Sequence, residues 1–342
     1  MSVKIAINGF GRIGRLAFRR AVETGDFEVV AINDLTNAAN LAYLLKYDSA
    51  HGRFFPEDIS VGADGDSIVF RGKEIKVYAE KDAANIDWAK HGVDIVLECT
   101  GFYTTTEKAK VHIEKGGAKG VIISAPAKDA VTPQFVYGVN DELLTKDMQI
   151  VSAASCTTNC LAPVLKVLHD EFGLVGGFMT TVHAYTNNQS ILDLPGKDAR
   201  RGRAAAQNLI PTTTGAAKAI GKVIPEIDGR ITGGAIRVPV IDGSLVDLSL
   251  QLEKKVTVED INAAMKKAAE GDLKDALAYT DEPIVSTDII GTHNGSIYDA
   301  TQTLVLDTED GQLVKVVSWY DNEYGYTCQM LRLAKAMVDV RA

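Results

Sequence analysis

The first 34 residues constrain this chain more than any other stretch. Val3 to Asn8 is apolar and β-branched and reads as a buried strand. Gly9-Phe10-Gly11-Arg12-Ile13-Gly14 follows. Helical spacing then runs from Arg15 to Glu23, with Leu16, Ala17 and Ala21 as good helix formers. A second apolar strand, Phe27 to Ile32, ends at Asn33-Asp34. Together these make one βαβ unit. The glycine string alone is weak, because glycines are common at turns, and a Gly-rich turn in an α/β fold that binds no nucleotide is the competing reading. Its position between a buried strand and a helix, with an acid closing the next strand, favours a dinucleotide site. Gly9 suits a tight turn, Gly11 lets backbone approach a pyrophosphate, and Gly14 lets helix pack on strand. The N–H groups at the helix start would face the phosphates. A carboxylate at Asp34 can accept from both ribose hydroxyls and would repel the extra phosphate of NADP, so NAD is the expected cofactor.

The pattern continues through Val93 to Cys99 and Gly120 to Ser124, two short apolar strands with a helical stretch from Thr106 to Lys115 between them. Repeated βα units favour a parallel sheet with helices on both faces. Residues 59–80 carry two strand-like runs around Arg71-Gly72-Lys73, a hairpin insertion. After about residue 150 the texture changes to long alternating stretches: Gly177 to Ala184, Ile231 to Val240, Leu245 to Leu252, Ala300 to Leu306 and Leu313 to Trp319. These predict a larger, mostly antiparallel sheet with one covered face. Helices are expected from Thr257, placed as a cap, to Ala269, and from Glu323 to Val338. The fold class is α/β: a Rossmann-type dinucleotide-binding domain plus an α+β catalytic domain with a large, mostly antiparallel sheet.

Composition excludes several classes. No apolar run approaches the ~20 residues of a membrane span, and the start of the chain lacks a signal peptide's apolar region, so no membrane and a cytosolic home are expected. A net charge of −9 disfavours nucleic acid as a partner. The tight basic cluster Arg200, Arg201 and Arg203 suits a small phosphate, or is a solvated loop. Four cysteines, Cys99, Cys156, Cys160 and Cys328, are too few for a disulfide scaffold and lack zinc spacing, so no metal is expected.

Cys156 is the cysteine with a chemical position. A strand-like run, Met148 to Ser152, precedes it, and helical residues follow Asn159, so it sits near a helix start. The helix dipole there favours the thiolate, a strong nucleophile toward an aldehyde carbon. Cys160, one turn on, reads as a packed small residue, and Cys99 and Cys328 as structural. A thiolate needs a base or ion-pair partner, and spacing does not choose among six histidines. His183 closes the apolar run Phe178 to Val182 and precedes a polar loop; a satisfied or exposed histidine is the competing reading.

Several segments carry a family resemblance. Ile7 to Arg15 resembles the opening of glyceraldehyde-3-phosphate dehydrogenases, and Ala154-Ser155-Cys156-Thr157-Thr158-Asn159-Cys160-Leu161-Ala162-Pro163 resembles their active-site signature. Thr181 to Thr186, Pro211 to Lys218 and Ser318 to Tyr326 complete a likeness that runs the full length in order. It implies an NAD-binding domain of residues 1–155 with 320–342 and a catalytic domain of 156–319. It implies Cys156 as nucleophile and His183 as its base. Gly9, Gly11, Arg12, Ile13, Gly14, Asp34, Lys81, Ser124 and Asn322 would contact NAD. Thr186 and Arg237 would hold the substrate phosphate, Ser155, Thr214 and Gly215 the attacking inorganic phosphate with Arg201 as helper, and Thr157 would belong to the same substrate- and phosphate-binding set. The loop from Thr186 to Arg203 would cross a subunit interface of a cytosolic homotetramer. The implied reaction oxidises glyceraldehyde 3-phosphate to 1,3-bisphosphoglycerate through a Cys156 thiohemiacetal and thioester. Erythrose-4-phosphate dehydrogenase, a relative that uses water instead of phosphate, is the alternative, and a redox-sensing protein on an inactive scaffold is a rival of another class. Two departures from the family pattern stand out: Ala153 where many members have asparagine, and Asn188 where many have aspartate.

Overall fold

The computed structural model describes residues 2–196, 198–309 and 311–341. The chain forms two compact units, one of Met1–Phe135, Asp141–Ala154 and Met330–Ala342, the other of Val136–Asn140 and Ser155–Gln329.

In the first unit, β1 (Val3–Asn8), α1 (Arg12–Thr24) and β2 (Phe27–Asn33) realise the βαβ unit expected from the sequence. The helix α2 (Ala38–Lys46), capped by Asn37, was not legible in the sequence: its buried stripe of Ala38, Leu41, Ala42 and Leu45 is blurred by the exposed apolar residues Tyr43 and Leu44. A two-residue ladder, β3 (Tyr47–Asp48) and β4 (Gly52–Arg53), leads to β5 (Ile59–Val61), β6 (Ser67–Phe70) and β7 (Lys73–Tyr78). Arg71 and Gly72 both adopt positive φ, 51° and 77°, and turn β6 back on β7. Two positive φ values in a two-residue loop match the twist of the flanking strands. β7 pairs antiparallel with β6 but parallel with β2, so the insertion extends the main sheet. Next come β8 (Ile95–Glu98), the short helices α3 (Thr106–Ala109) and α4 (Val111–Glu114), then β9 (Gly120–Ile123) and β10 (Ile150–Ser152). The sheet order is β10-β9-β8-β1-β2-β7-β6-β5. From β1 the chain winds outward in both directions, so the crevice at the carboxyl ends of β1 and β8 is the topological switch point. Trp88, Val96, Val121 and Ile123 pack one buried cluster. Phe18 meets Phe10, Phe54 and Phe70 edge-on in another. Each such buried side chain contributes about 1.5–3 kcal/mol.

The second unit opens with α5 (Cys156–Phe172), followed by β11 (Leu174–Ala184), β12 (Ile210–Thr212), α6 (Ala216–Val223), β13 (Ile231–Val238), β14 (Ser244–Leu252), α7 (Val258–Glu270), β15 (Leu277–Thr280), β16 (Ser296–Thr308) and β17 (Gly311–Tyr320). Its sheet runs β12-β13-β11-β14-β17-β16-β15, antiparallel except where β11 meets β13 and β15 meets β16. α5 packs on β14, β16 and β17 with Leu161, Val164, Leu165 and Leu168 fully buried. Elsewhere on the strands Phe178, Leu304, Leu306 and Leu313 stand exposed. Thr257 caps α7 in a reciprocal box with Asp260. The last helix, α8 (Tyr324–Asp339), begins in this unit and from Met330 onward belongs to the first. The stretch 320–329 thus groups with the second unit, where the sequence placed the return at 320. The reason is local: Tyr320 closes β17 with its hydroxyl on Thr157 and Thr181, and Gln329 donates to the Tyr137 carbonyl. No helix among the described residues is long and apolar enough to cross a membrane.

Candidate active site

The first unit holds a cleft of about 450 Å³ at the switch point, lined among others by Asn8, Gly9, Gly11, Asp34, Lys81 and Thr100. Gly9 has φ +94°, and a Cβ there would lie 2.8 Å from the backbone of Cys99 and Thr100. A Cβ on Gly14 would lie 2.2 Å from the Gly9 carbonyl oxygen, so α1 can start this close to β1 only with glycine. Nothing lies within 4 Å of a Cβ on Gly11, whose face is open toward the cleft it lines. One Asp34 carboxylate oxygen accepts from Phe10 N–H at 2.8 Å, which fixes the acid at the glycine turn. A narrow glycine cradle, a helix start and an acid in one cleft are what the pyrophosphate and ribose of NAD require, so the residues present fit that cofactor. Of the other expected contacts, Lys81 is exposed on the cleft wall. Ile13 is half-buried at the start of α1, and Ser124 directly follows β9 with its side chain hydrogen-bonded to the Cys99 thiol. Arg12 is turned to Asp48 in an ion pair. Burial opposes the Asp48 charge, but the His51 N–H and the Arg12 guanidinium outweigh it and hold the carboxyl at about 2.

The second unit assembles the sulfur site. Ser155 caps α5 by accepting from Thr158 N–H at 3.0 Å, which makes Cys156 the first helical residue. Ala154, just before the cap, is held at φ 55°, a strained conformation for a residue with a Cβ. Cys156 Sγ lies 3.5 Å from His183 Nε2. His183 Nδ1 lies 2.7 Å from the Ala184 carbonyl oxygen; with the proton on Nδ1 donated there, Nε2 presents a lone pair to the sulfur. β11 and β13 run parallel in a register that places His183 beside Arg237. Arg237 Nη1 comes 2.9 Å from His183 Nδ1 and donates to the Ala184 carbonyl and to Thr186 Oγ1.

These neighbours set the electrostatics. Burial, then the Arg237 charge, push the His183 imidazole down to about 3, so it is a neutral base across ordinary pH. Burial pushes the Cys156 thiol up; Arg237 and hydrogen bonds from Thr157 pull it the other way. The sequence reading held only half of this balance: the helix start favours the thiolate, and crowding by the surrounding protein opposes it. Burial lowers Arg237 as well, and the nearby sulfur partly restores it. Tyr320 packs edge-on to His183 at 5.8 Å, its phenol held well above the ordinary range by burial.

The expected anion ligands fall around this site unequally. Thr186 Oγ1 is shared between Arg237 and Asn188, whose Oδ1 accepts at 2.9 Å; an aspartate there would accept equally well. Arg201 donates to Thr212 Oγ1 and the Thr213 carbonyl, next to Thr214 and Gly215. Gly215 precedes α6, whose first N–H, from Ala216, donates to Thr214 Oγ1 at 3.2 Å. Arg200 and Arg203 are engaged elsewhere, with Pro211 and Asp193. Thr157 is buried and turns its hydroxyl to Tyr320 at 2.8 Å, so its side chain supports the sulfur site instead of facing an anion. Asn322 Oδ1 accepts from Ser244, whose hydroxyl also accepts from Ala184 N–H; the asparagine braces the end of the strand that carries His183.

With that geometry in place, comparison with known proteins gives a consistent result. The C-terminal domain of glyceraldehyde 3-phosphate dehydrogenase matches residues 155–322, and the NAD binding domain of the same enzymes matches residues 3–106. The glyceraldehyde-3-phosphate dehydrogenase of Geobacillus stearothermophilus is 57% identical over 335 residues, 98% of both chains. The chain belongs to the glyceraldehyde-3-phosphate dehydrogenase family. Members from Priestia megaterium and Bacillus subtilis, 56% and 55% identical, each match 98% of both chains. The family's NAD-binding and C-terminal domains correspond to the two kinds of sheet seen here, and a member of it is an NAD-dependent oxidoreductase acting on an aldehyde.

Sequence reasoning missed three parts of the site. It assigned Arg237 to a phosphate but not to the far side of His183, a neighbour supplied by strand register. It passed over Tyr320, which joins Thr157 and Thr181. It also passed over Asn8 and Asn33, polar residues that end otherwise apolar strands; that break in pattern was the available signal.

Proposed function

We propose that this chain oxidises D-glyceraldehyde 3-phosphate in the presence of inorganic phosphate to 1,3-bisphosphoglycerate, with reduction of NAD. The observation that carries the reading is Cys156 at the first position of α5, with His183 Nε2 3.5 Å from its sulfur and Arg237 behind the imidazole.

Hydride does not leave a planar aldehyde, so the chain must first make the carbon tetrahedral. As the S–C bond forms, His183 Nε2 takes the thiol proton, and the Ala184 carbonyl supports the resulting imidazolium through Nδ1–H. His183 and the backbone N–H groups at the start of α5 stabilise the developing oxyanion. NAD, held by Gly9, Gly11, Gly14 and Asp34, supplies the two-electron acceptor when bound. Loss of hydride from the thiohemiacetal carbon leaves a thioester on Cys156. Attack by phosphate oxygen on that carbonyl then breaks the S–C bond, releasing the acyl phosphate and returning the sulfur as thiolate. Two anion sites serve the two phosphates: Arg237 with Thr186 for the sugar phosphate, and Ser155, Thr214 and Gly215 with Arg201 for the inorganic one. On a chain of net charge −9, such local positive sites draw the anions in.

The protein works as a cytoplasmic homotetramer in this reading. Phe178, Ile191, Leu192, Leu194 and Leu209 are large apolar side chains left exposed in one chain, as self-association requires. Sedimentation at a single chain's 36.7 kDa would overturn the assembly. The activity is tested by following NADH absorbance with glyceraldehyde 3-phosphate, NAD and phosphate, omitting each in turn. Turnover must require all three, and a Cys156→Ser variant must bind NAD without oxidising the aldehyde. Sustained turnover without phosphate, or by the serine variant, would defeat the proposal.

A further inference from the structure

Four neighbouring parallel strands of the first unit end in one register row: Glu98 on β8 beside Asn8 on β1, Asn8 beside Asn33 on β2, and Asn33 beside Tyr78 on β7. Three of these are polar, and all three are buried, Glu98 and Asn8 at 1% exposure and Asn33 at 5%. An apolar row would cost less to bury, so the polarity calls for a cause. The hydrogen bonds supply it, because they can be ordered without ambiguity from one end. Trp88 is fully buried, and its indole N–H is a donor only; it reaches His112 Nδ1 at 3.2 Å. That ring atom is therefore an acceptor, and the neutral ring carries its proton on Nε2. The Nε2–H donates to Glu98 Oε2 at 3.0 Å. Asn8 Nδ2 donates to the same oxygen at 2.5 Å, and Thr100 donates to the other oxygen through its N–H and its hydroxyl. Every partner of Glu98 is a donor. With its NH₂ committed, Asn8 turns its Oδ1 to Asn33 Nδ2 at 2.7 Å. Asn33 then grips both backbone groups of Glu80, donating to its carbonyl at 3.0 Å and accepting from its N–H at 2.9 Å.

Asn8, Asn33, Glu80 and Thr100 all line the cleft, whereas Trp88, His112 and Glu98 lie behind it, with Trp88 inside the buried apolar cluster. We propose that Glu98, locked by His112 and Trp88, is a positioning residue that sets the amide orientation of Asn8 and Asn33 and so pins the Glu80–Lys81 wall for NAD. This rests on the reading of the cleft as the NAD site. The chain is directional, which makes it sensitive to one atom. In Glu98→Gln one oxygen becomes NH₂. On one side that group faces Asn8 and His112 donors; on the other it faces the Thr100 N–H. Either way a cleft-lining donor meets another donor, and if Asn8 flips to relieve the clash, Asn33 must follow and release Glu80.

The test is NAD titration of the full chain and of Glu98→Gln, with hydrogen exchange and steady-state kinetics on both. The expected result is a dissociation constant for NAD raised about 10-fold, faster exchange at the amides around Glu80, and a matching rise in KM for NAD. At saturating NAD, kcat should stay within about twofold, and Cys156 should be alkylated by iodoacetamide at the parent rate when NAD is absent. Unchanged NAD affinity in a folded variant overturns the proposal, as does a lowered kcat with KM unmoved. If the variant does not fold, the parent still decides: histidine ¹⁵N shifts that put the His112 proton on Nδ1 would break the donor chain at its first link. Failure of the parent to bind NAD would sink the reading of the cleft itself, and this inference with it.

Discussion

His183 Nε2 and Cys156 Sγ lie 3.5 Å apart although 27 residues separate them, and Arg237 approaches the imidazole from its other nitrogen at 2.9 Å. A cation behind a buried neutral ring keeps that ring unprotonated, and its charge also favours the thiolate beyond. One arginine therefore acts on both members of the pair in opposite senses: it favours the thiolate and disfavours the imidazolium that proton transfer from the thiol forms.

Replacing His183 by Asn removes the proton acceptor and keeps the volume close. The rate of NADH formation should fall ~10²- to 10⁴-fold, the usual share of a general base. An unchanged kcat at neutral pH would remove His183 from the mechanism.

Arg237→Leu should act on affinity and on titration together. Loss of the guanidinium raises KM for glyceraldehyde 3-phosphate and leaves KM for NAD alone. Burial already holds the Cys156 thiol up and the Arg237 charge partly offsets it, so removal of Arg237 leaves burial less opposed and the thiol ionises at still higher pH. The inflection of iodoacetamide alkylation against pH should move up by about one unit. A downward shift would contradict the assigned neighbourhood.

Asp34→Ala should relax the choice between the two nicotinamide cofactors by removing the carboxylate that repels a 2′-phosphate. The ratio of kcat/KM for NAD over NADP is expected to fall by about 10-fold or more. Identical ratios in parent and variant would show that Asp34 does not meet the ribose.

Acid should weaken the fold through His183 before it reaches the carboxylates. The imidazole titrates at about 3 when folded against 6.5 when exposed, so between those values the unfolded chain holds a proton the folded chain lacks. This contribution is complete above about 6.5 and is lost as pH falls toward 3. Asp48, at about 2 when folded against 3.8, adds a loss only below about 3.8. Urea midpoints should therefore drop from pH 7 to pH 5 in the parent and drop less in His183→Asn. Equal slopes would mean that His183 is not buried as a neutral ring.

Much of this protein is legible in the order of its residues. Val3 to Asp34 announces a βαβ unit because apolar period, glycine spacing and a terminal acid agree over a short span, and the structure places Gly9, Gly14 and Asp34 where that local logic requires. The long alternating runs after residue 150 mark the second sheet, and Cys156 stands out because a strand-like run precedes it and helical residues follow, although the Ser155 cap appears only in the structure. Local periodicity depends on neighbours along the chain, so it can be read without coordinates.

What joins distant residues could not be read that way. The parallel register of β11 with β13 decides that Arg237 backs His183, and the side-by-side ends of β8, β1 and β2 decide that Glu98, Asn8 and Asn33 share one hydrogen-bonded row. Thr157 was read as an anion ligand, yet packing turns its hydroxyl inward to Tyr320, 163 residues away. Burial, too, is a property of the folded chain: it raises the Cys156 thiol against the helix start that sequence alone credits. Proton affinity and side-chain direction respond to every group within a few ångströms, and only the tertiary structure determines which groups those are.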